Sequence, residues 1–370
     1  MRIALLVVSL ALFTTSPLAA QGPVDITLGH GFGCGLNADG TVRCWGASRS
    51  GQCGVEERGV AATPIAGLSG VEEIDAGHSH ACARSGGDVQ CWGHNQYGQL
   101  GPAGAGMEQS TSPLAVSGLP PIVELGVGNF STCARAENGS VWCWGYGDSG
   151  QLGPRVERSA TPVQIPRVRN ATKLFAGHNH FCTLDVRNRL TCWGSNSYGQ
   201  AGSRRGERSP PHVVRGTGSI QSVALGANFS CLLNTDGGIR CWGEAYGYSD
   251  SERPGPPHQL VRHPRIANVT HLALAGENMC IIVGGVPKCL GVNRRGELHV
   301  PSPEDGNVVI VPTSVPGASN VTRIEMHDRI QCIAGDAGPW RCWGWNRGRE
   351  NGAGVGSGER DVTTPTPLRW

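Results

Sequence analysis

Short runs in which apolar and polar residues alternate recur along the whole chain. Residues 71–74 (VEEI) and 122–125 (IVEL) are two examples, and each run ends near a glycine. A period of two is typical of β-strands, because successive side chains of a strand point to opposite faces. No long run follows the period of an amphipathic helix. The pattern therefore predicts an all-β protein.

Pairs of cysteines mark two further strands in every unit. The cysteines of a pair lie nine or ten residues apart, and Trp-Gly usually follows the second. The first cysteines are separated by 48, 51, 49, 49, 49 and 52 residues. A fixed period of this length is typical of a propeller or a solenoid. The seven pairs are Cys34 with Cys44, Cys82 with Cys91, Cys133 with Cys143, Cys182 with Cys192, Cys231 with Cys241, Cys280 with Cys289, and Cys332 with Cys342.

The residues between the two cysteines predict a tight β-hairpin. Where the spacing is nine, the midpoint is Gly-Gly, as at Gly86 and Gly87, which suits a two-residue loop with positive φ at both positions. Where the spacing is ten, a three-residue loop ends in Gly or Asn, as a type I turn followed by a left-handed residue requires. Both registers put the two cysteines directly opposite each other. We therefore expect seven cross-strand disulfides. The last loop residues are Gly40, Gly139, Asn188, Gly237 and Gly338.

A short proline-bearing segment precedes the alternating run of each repeat, for example at residues 63–65 and 161–163, and with the two cysteine strands it brings the count to four strands. Four strands in about fifty residues are typical of a propeller blade. The chain outside its first 20 residues begins with an apolar strand at 24–28 and ends with a proline-bearing strand at 364–368. We therefore predict a seven-bladed β-propeller in which the C-terminal strand completes the first blade and leaves no open sheet edge. An open stack would instead need polar caps at its ends.

The first 20 residues differ from the rest. Arg2 precedes an apolar run at 3–13, and small residues follow at 16–20. These features predict a signal peptide at 1–20, followed by a single propeller at 21–370. A membrane anchor is the alternative for this segment, and no later stretch is apolar enough to span a bilayer. We expect export to the periplasm, the cell surface or the medium, where disulfides form.

The fifteenth cysteine, Cys53, stands where other repeats have Leu100, Leu152 or Ala201. We interpret it as a small apolar filler with a free thiol, although a reactive or intermolecular cysteine is the alternative. The spacing of the paired cysteines matches no reliable zinc motif. The sequence therefore predicts no metal and no cofactor.

The second blade resembles a known repeat. Residues 77–80 (GHSH) and 91–101 (CWGHNQYGQLG) resemble the regulator of chromosome condensation repeat family, and the resemblance covers nearly all of 24–370. It implies a seven-bladed propeller. The paired cysteines look like the extracellular branch of that family, which includes the ectodomains of crinkly-type plant receptor kinases. Blades five to seven depart from the pattern, for example at Leu290 and His327.

The resemblance leaves several functions open. The family includes a nuclear guanine-nucleotide exchange factor for a small GTPase that docks on nucleosomes, a plant ultraviolet sensor that uses tryptophans, and a secreted bacterial inhibitor of β-lactamases. The signal peptide and a net charge of only +2 disfavour exchange activity and nucleic-acid binding. No tryptophan stands where the light sensor has its own, which disfavours photoreception. The positions are His30, His78, Asn129, His178, Ala227, Gly276 and Asp328.

Searches for catalytic motifs find no P-loop, no G-x-S-x-G and no H-E-x-x-H. His78 with His80, and His178 with His180, form H-x-H pairs, which on a strand put both imidazoles on one face. With a carboxylate, such pairs could form a metal site, but they lie two blades apart. We expect the second histidine of each pair to form hydrogen bonds within its blade. The sequence thus predicts no catalytic residue and no metal ligand.

These observations favour an exported, monomeric, non-catalytic scaffold that binds an unknown protein or a glycan. Alternatives are a secreted enzyme inhibitor and a carbohydrate-binding or enzymatic propeller with its site at the ring mouth; a cluster of acidic residues and histidines at the axis would favour the latter. One candidate surface is formed by the variable loops 102–112, 203–209, 250–257 and 301–306. The other is a ring of turns that contains His30, His78, Phe130, His178, Asn179, Asn228, Glu277 and Arg329.

Overall fold

The computed structural model describes residues 22–204, 206–244, 259–263, 266–293, 308–336, 338–344 and 362–370, together with residues 298 and 300. In these residues the chain forms seven four-stranded antiparallel sheets, which are the blades of a propeller. The only helix among them is one turn of 3-10 helix at Pro102–Gly104, and none could span a membrane. The predicted all-β, seven-bladed fold is confirmed. The predicted signal peptide lies outside the described residues.

Each blade uses four strands that are consecutive in the chain, and the first of them lies nearest the axis. The strands of blades one to four are β1 (Asp25–Gly29), β2 (Phe32–Leu36), β3 (Val42–Ser48), β4 (Glu57–Pro64), β5 (Glu73–Ala76), β6 (His80–Ser85), β7 (Asp88–His94), β8 (Gln109–Ala115), β9 (Ile122–Val127), β10 (Ser131–Ala136), β11 (Val141–Tyr146), β12 (Arg158–Gln164), β13 (Ala171–Ala176), β14 (His180–Asp185), β15 (Leu190–Ser195) and β16 (Arg208–Val213). The strands of blades five to seven are β17 (Ile220–Leu225), β18 (Phe229–Asn234), β19 (Ile239–Gly243), β20 (Val261–Arg262), β21 (Val269–Ala275), β22 (Asn278–Val283), β23 (Val286–Val292), β24 (Val308–Ser314), β25 (Arg323–His327), β26 (Ile330–Ala334), β27 (Arg341–Gly344) and β28 (Val362–Pro367).

The predicted latch between the chain ends is wrong. The C-terminal strand β28 pairs with β27 and completes blade seven, whereas blade one takes β4 as its own fourth strand. The proline-bearing strand is the outermost strand of the blade that precedes it in the chain. Proline has no N–H to donate, so it suits this edge position. Each blade therefore ends with its proline-bearing strand, whereas the predicted latch required each blade to begin with that strand.

Side-chain packing closes the ring instead. β1 contacts β25, and one buried cluster contains residues of both blade one and blade seven. Trp370 extends this contact beyond the last strand: its ring meets Trp45 edge-on, with the centroids 6.0 Å apart, and its indole N–H donates to Asn37 Oδ1 at 2.8 Å. The C-terminal residues therefore do reach blade one, through a tryptophan rather than through a strand.

The structure contains a disulfide at each of the seven cysteine pairs, and the two cysteines of every pair are direct cross-strand neighbours. Each bond therefore ties the second strand of a blade to the third, as the hairpin spacing predicts. The disulfides join Cys34 to Cys44, Cys82 to Cys91, Cys133 to Cys143, Cys182 to Cys192, Cys231 to Cys241, Cys280 to Cys289, and Cys332 to Cys342.

The hairpin turns follow the expected conformations, with φ of 96° at Gly87 and 59° at Asn188. Blade seven is the exception, because β26 ends at Ala334 and β27 begins only at Arg341. Gly338 is not left-handed there, and the longer connection carries Trp340 into the cluster between blades seven and one.

Regular spacing of Trp and Gln along the chain ties successive blades together. The buried indole of Trp92 donates to the carbonyl of Gln52 at 2.9 Å, and Trp144 donates to Gln99 in the same way. Cys53, beside Gln52, is a free cysteine in the apolar core, and burial raises the pKa of its thiol. The interpretation of Cys53 as a buried filler is confirmed.

Candidate functional site

One face of the propeller carries the ring of turns and those variable loops that lie within the described residues. At this end of each blade, the first strand turns into the second and the third strand leads to the fourth, since the four strands are antiparallel. We call it the loop face. The ring of turns lies at its centre, and loops 102–112 and 203–209 follow third strands and so share it. Loops 250–257 and 301–306 lie outside the described residues.

Backbone hydrogen bonds join the turns around the axis. Each turn donates to the turn of the next blade, and the chain of bonds runs from blade one to blade six. The bonds are His30 N to His78 O (3.1 Å), His78 N to Asn129 O (3.2 Å), Asn129 N to His178 O (2.8 Å), His178 N to Gly226 O (3.3 Å) and Ala227 N to Gly276 O (2.9 Å).

Blade seven places a carboxylate among the histidines at the centre of the ring. Asp328 Oδ2 lies 2.9 Å from His30 Nδ1, and Oδ1 lies 3.2 Å from His178 Nε2. His327 Nδ1 is 3.6 Å from Oδ2. We call these four residues the axial mouth. They come from blades one, four and seven, so a separation of three blades along the chain does not keep these side chains apart at the axis.

The surroundings of the axial mouth shift its pKa values strongly. Burial would raise the pKa of Asp328, but His327 and the hydrogen bonds to His178 and His30 lower it far below the usual range. Burial lowers the pKa of His327 to about 4, and that of the neighbouring His78 to about 4 as well. Asp328 is therefore ionised at neutral pH, beside at least one neutral imidazole.

The second histidines of the H-x-H pairs lie elsewhere. Strands β6 and β14 begin at His80 and His180, so the first histidine of each pair lies in the preceding turn and the pair does not share a strand face. His80 Nε2 lies 2.9 Å from Thr132 Oγ1, and His180 Nε2 lies 2.7 Å from Ser230 Oγ. Both partners belong to the next blade. The expected bonds within the blade are therefore wrong, although these two histidines are structural.

A row of partly buried rings runs outward from the axial mouth across blades two and three. We call His78, His94, Tyr97, Phe130 and Tyr146 the aromatic stripe. His78 stacks on His30 at 4.4 Å between centroids and lies 5.2 Å from Phe130; Tyr97 lies 5.3 Å from Phe130 and 4.9 Å from Tyr146. The exposed Arg158 guanidinium lies 5.0 Å from the centre of the Tyr97 ring.

The other members of the predicted ring are more dispersed. Asn179 Oδ1 accepts a hydrogen bond from Gln151 Nε2 at 3.4 Å, away from the axial mouth. Asn228 and Glu277 are half-buried in the turns of blades five and six, and Arg329 is exposed beside Asp328.

Sequence reasoning missed two residues of the axial mouth. Asp328 occupies the same position in its repeat as His30, His78 and His178 occupy in theirs. An acidic residue where other repeats have histidine could have indicated a site. His327 stands out in the sequence only as a departure from the glycine pattern, which does not indicate a role.

A passage of about 320 Å³ along the axis lies behind the axial mouth, and the first strands of all seven blades line it. Asp75 and Glu325 project from these strands, and we call this pair the acidic wall. Asp75 Oδ2 accepts from the Val127 N–H at 2.8 Å, and Oδ1 accepts from the Thr27 hydroxyl at 3.2 Å. Burial raises the pKa of Asp75 to about 7 and that of Glu325 to about 8.

Comparisons with known proteins agree with this geometry. Family models described as "Regulator of chromosome condensation (RCC1) repeat" match residues 24–52, 71–99, 122–151, 171–200 and 220–246, and a second such model matches 138–184. A search of curated protein sequences found no significant match.

Among solved structures, the chain resembles yeast RCC1 (Prp20) bound to Kap60, with a TM-score of 0.75 and 20% identity over 94% of this chain and 84% of that one. Human WBSCR16 gives a TM-score of 0.73 and 18% identity over 84% of this chain and 85% of that one. The ectodomain of the Physcomitrella patens receptor kinase CR4 gives 0.56 and 19% identity over 86% and 72%.

Proposed function

Because the chain belongs to the regulator of chromosome condensation (RCC1) repeat family, in a form with a disulfide in every blade, we propose that it is an exported, monomeric, non-catalytic scaffold that binds a protein through its loop face. Seven disulfides suggest an oxidising environment outside the cytoplasm, and this supports export. The observation that carries the proposal is the aromatic stripe with Arg158.

The composition and rigidity of the stripe favour protein binding. Tyrosine, phenylalanine and arginine are enriched in the cores of protein interfaces, where tyrosine and arginine often dominate the binding energy. The rings of the stripe already contact one another, so a partner would immobilise few additional side chains on binding. The disulfide-linked blades beneath them keep the surface in one shape.

The relatives support protein binding without naming a partner. Prp20 from Saccharomyces cerevisiae is described together with Kap60, and with its binding properties to Gsp1p and histones. At 20% identity the likeness carries over the fold, not the partners. We do not extend nucleotide exchange to this chain, because small GTPases act in the reducing cytosol or nucleus, where seven disulfides would not persist.

Affinity capture with matched variants tests the proposal. The mature, oxidised protein is immobilised and exposed to an extract of the native envelope, and the retained proteins are quantified by mass spectrometry. The stripe variant is Tyr97→Ala with Arg158→Ala. The control is Val186→Ala with Arg187→Ala, an exposed apolar and basic pair on a hairpin of the opposite face.

A partner that uses the stripe should be retained about tenfold less by the stripe variant, since loss of two anchors costs more than about 1.4 kcal/mol. The hairpin variant should retain it like the wild type. Equal retention by the wild type and the stripe variant would contradict the proposal.

A second candidate function is a carbohydrate-binding or enzymatic site at the axial mouth. The observation that favours it is the cluster of Asp328 with three histidines at the axis. A glycan array probed with the wild type and with Asp328→Asn tests it. Glycan binding that the substitution abolishes would support this candidate, and an array without signal would leave the scaffold function in place.

A further inference from the structure

The spacing of three side-chain atoms at the axial mouth matches a metal coordination shell. His178 Nε2, His327 Nδ1 and a carboxylate oxygen of Asp328 all lie within 4.8 Å of one another. The two nitrogens are 3.2 and 3.6 Å from the nearest oxygen. In a tetrahedral zinc site with bonds of about 2.0–2.1 Å, neighbouring ligand atoms are roughly 3.3 Å apart. The two nitrogen–oxygen separations are close to this value, and the two nitrogens, within 4.8 Å of each other, would be drawn together by the ion.

An unsatisfied nitrogen points independently to a ligand at this place. His327 is only 8% exposed, and among the described residues its Nδ1 has no hydrogen-bond partner. At 3.6 Å, Asp328 Oδ2 is beyond hydrogen-bond distance from it. A buried polar atom without a partner is costly, and a bound cation would satisfy it.

Neighbouring groups hold the side chains that carry these three atoms in place. His30 lies at 2.9 Å from Oδ2 of Asp328, which leaves Oδ1 facing His178. An outer partner of this kind orients a ligating carboxylate and is typical of metal sites. The turn of blade four that carries His178 is fixed to both neighbouring turns by backbone hydrogen bonds. Rigid elements therefore present the ligands from two blades.

The donor set selects the class of metal. Two imidazoles and one carboxylate suit Zn²⁺ and its first-row neighbours, whereas Ca²⁺ and Mg²⁺ prefer oxygen ligands alone. We propose that the axial mouth binds one Zn²⁺ ion through His178 Nε2, His327 Nδ1 and the carboxylate of Asp328, with the fourth position open. The site is independent of whether the loop face binds a protein or a glycan.

Calorimetry on the intact protein tests the site. Untagged, oxidised mature protein is stripped with a chelator, dialysed and titrated with ZnCl₂, and in parallel with CaCl₂ and MgCl₂. We expect one Zn²⁺ per chain and no comparable binding of the other two ions. Absence of a one-to-one Zn²⁺ isotherm in the wild type would overturn the proposal.

Three variants locate the ion. Asp328→Asn and His178→Asn should each weaken Zn²⁺ binding by about tenfold or more, since loss of even an outer-shell partner typically costs that much. Asn tolerates the left-handed conformation of residue 328, where φ is 40°, so the turn should be retained. His271→Asn changes an exposed histidine near the other end of an inner strand and should bind like the wild type. Unchanged affinity in both ligand variants would overturn the assignment.

Cobalt gives a second readout that needs no variant. Co²⁺ bound by two imidazoles, one carboxylate and one water should show the intense visible absorption of a four-coordinate ion, and Zn²⁺ should displace it. A weak, six-coordinate spectrum in the wild-type protein would overturn the proposal even if a ligand variant failed to fold.

Discussion

Carboxyl groups at the axial mouth and in the acidic wall have pKa values that are shifted in opposite directions. At the mouth, Asp328 lies among three imidazoles, and its pKa falls although burial alone would raise it. A few residues deeper, burial dominates at Asp75 and Glu325 and raises their pKa values to about 7 and about 8. The polar partners decide which effect wins. One carboxylate is held ionised, whereas the other two keep their protons to a much higher pH than an exposed carboxyl group does.

The hydrogen bonds of the two regions also differ in kind. The first strand of a blade is an edge strand, so its N–H groups need acceptors outside their own sheet. Asp75 accepts from Val127 in the next blade, as Glu73 does from Leu125 at 3.0 Å. In contrast, the partners of Asp328 are imidazole side chains. The wall joins blades together, whereas the mouth presents polar atoms to the loop face.

The largest loss of thermal stability should come from opening the ring, because both regions depend on residues of blade seven and blade one. Deleting residues 362–370 removes β28 and the contact of Trp370 with Trp45 and Asn37, and it exposes the edge of β27. We expect the melting temperature to fall by roughly 10 °C or more, with aggregation. Differential scanning calorimetry of the oxidised protein measures this.

Arg369→Ala is the control for the deletion, since that exposed residue lies in the same segment. A truncated protein that melts like the wild type would show that the closure between blades seven and one contributes little, and the two regions would then be independent of the seam.

The next largest loss of stability should come from a substitution in the acidic wall. In Asp75→Asn, an amide NH₂ would face one of the donors that now point at the carboxylate: the Val127 N–H, the Ala76 N–H or the Thr27 hydroxyl. Such a mismatch leaves buried groups unsatisfied and should cost about 2 kcal/mol of unfolding free energy near neutral pH. Denaturant titration with intact disulfides measures it. Asp88→Ala, an exposed acid of the same blade, should change stability by less than about 0.5 kcal/mol.

The sequence correctly predicts those features that depend on residues close together in the chain or on the repeat period. The positions of the seven disulfides follow from the hairpin spacing of each cysteine pair, and the blade count follows from the period. The latch failed because the same four-strand period fits two assignments of the proline-bearing strand, either before or after its cysteine hairpin. Only the pairing of β4 with β3 decides between them.

The sequence could identify single residues of the candidate site, but it could not predict which of them lie together. His30, His78 and His178 could be named from their register. Their approach to Asp328 depends on where turns about 150 to 300 residues apart meet, which local patterns do not contain. The aromatic stripe was missed for the same reason, since its members belong to turns, loops and strand ends of two neighbouring blades.

The pH dependence of stability should distinguish the wall from the mouth. The pKa of Asp75 is raised to about 7 in the folded protein, above the usual value of 3.8. Between these values the unfolded chain releases the proton first, so the contribution of Asp75 to stability falls as the pH rises and is constant above about pH 7. The slope is at most about 1.4 kcal/mol per pH unit.

Comparing the wild type with Asp75→Asn at about pH 4.5 and about pH 6.5 isolates this contribution, because the other titrating groups are shared. The advantage of the wild type over the variant should be larger at the lower pH. The same difference at both pH values would mean that the three donated hydrogen bonds keep Asp75 ionised, and the contrast between wall and mouth would disappear.

The smallest effect should come from the same substitution at the mouth. In Asp328→Asn the amide keeps an oxygen acceptor and gains an NH₂ donor, and a neutral imidazole nitrogen can donate or accept according to its tautomer. The contacts with His30 and His178 can therefore be retained, and in the presence of a chelator we expect the unfolding free energy to change by less than about 1 kcal/mol. Denaturant titration next to Asp75→Asn, under identical conditions, gives the comparison. If Asp328→Asn cost as much as Asp75→Asn, the carboxylate at the mouth would be a structural tie like those of the wall. If the loss is small, the contacts of Asp328 matter less for folding than those of Asp75, which is the property expected of a group placed to bind a ligand.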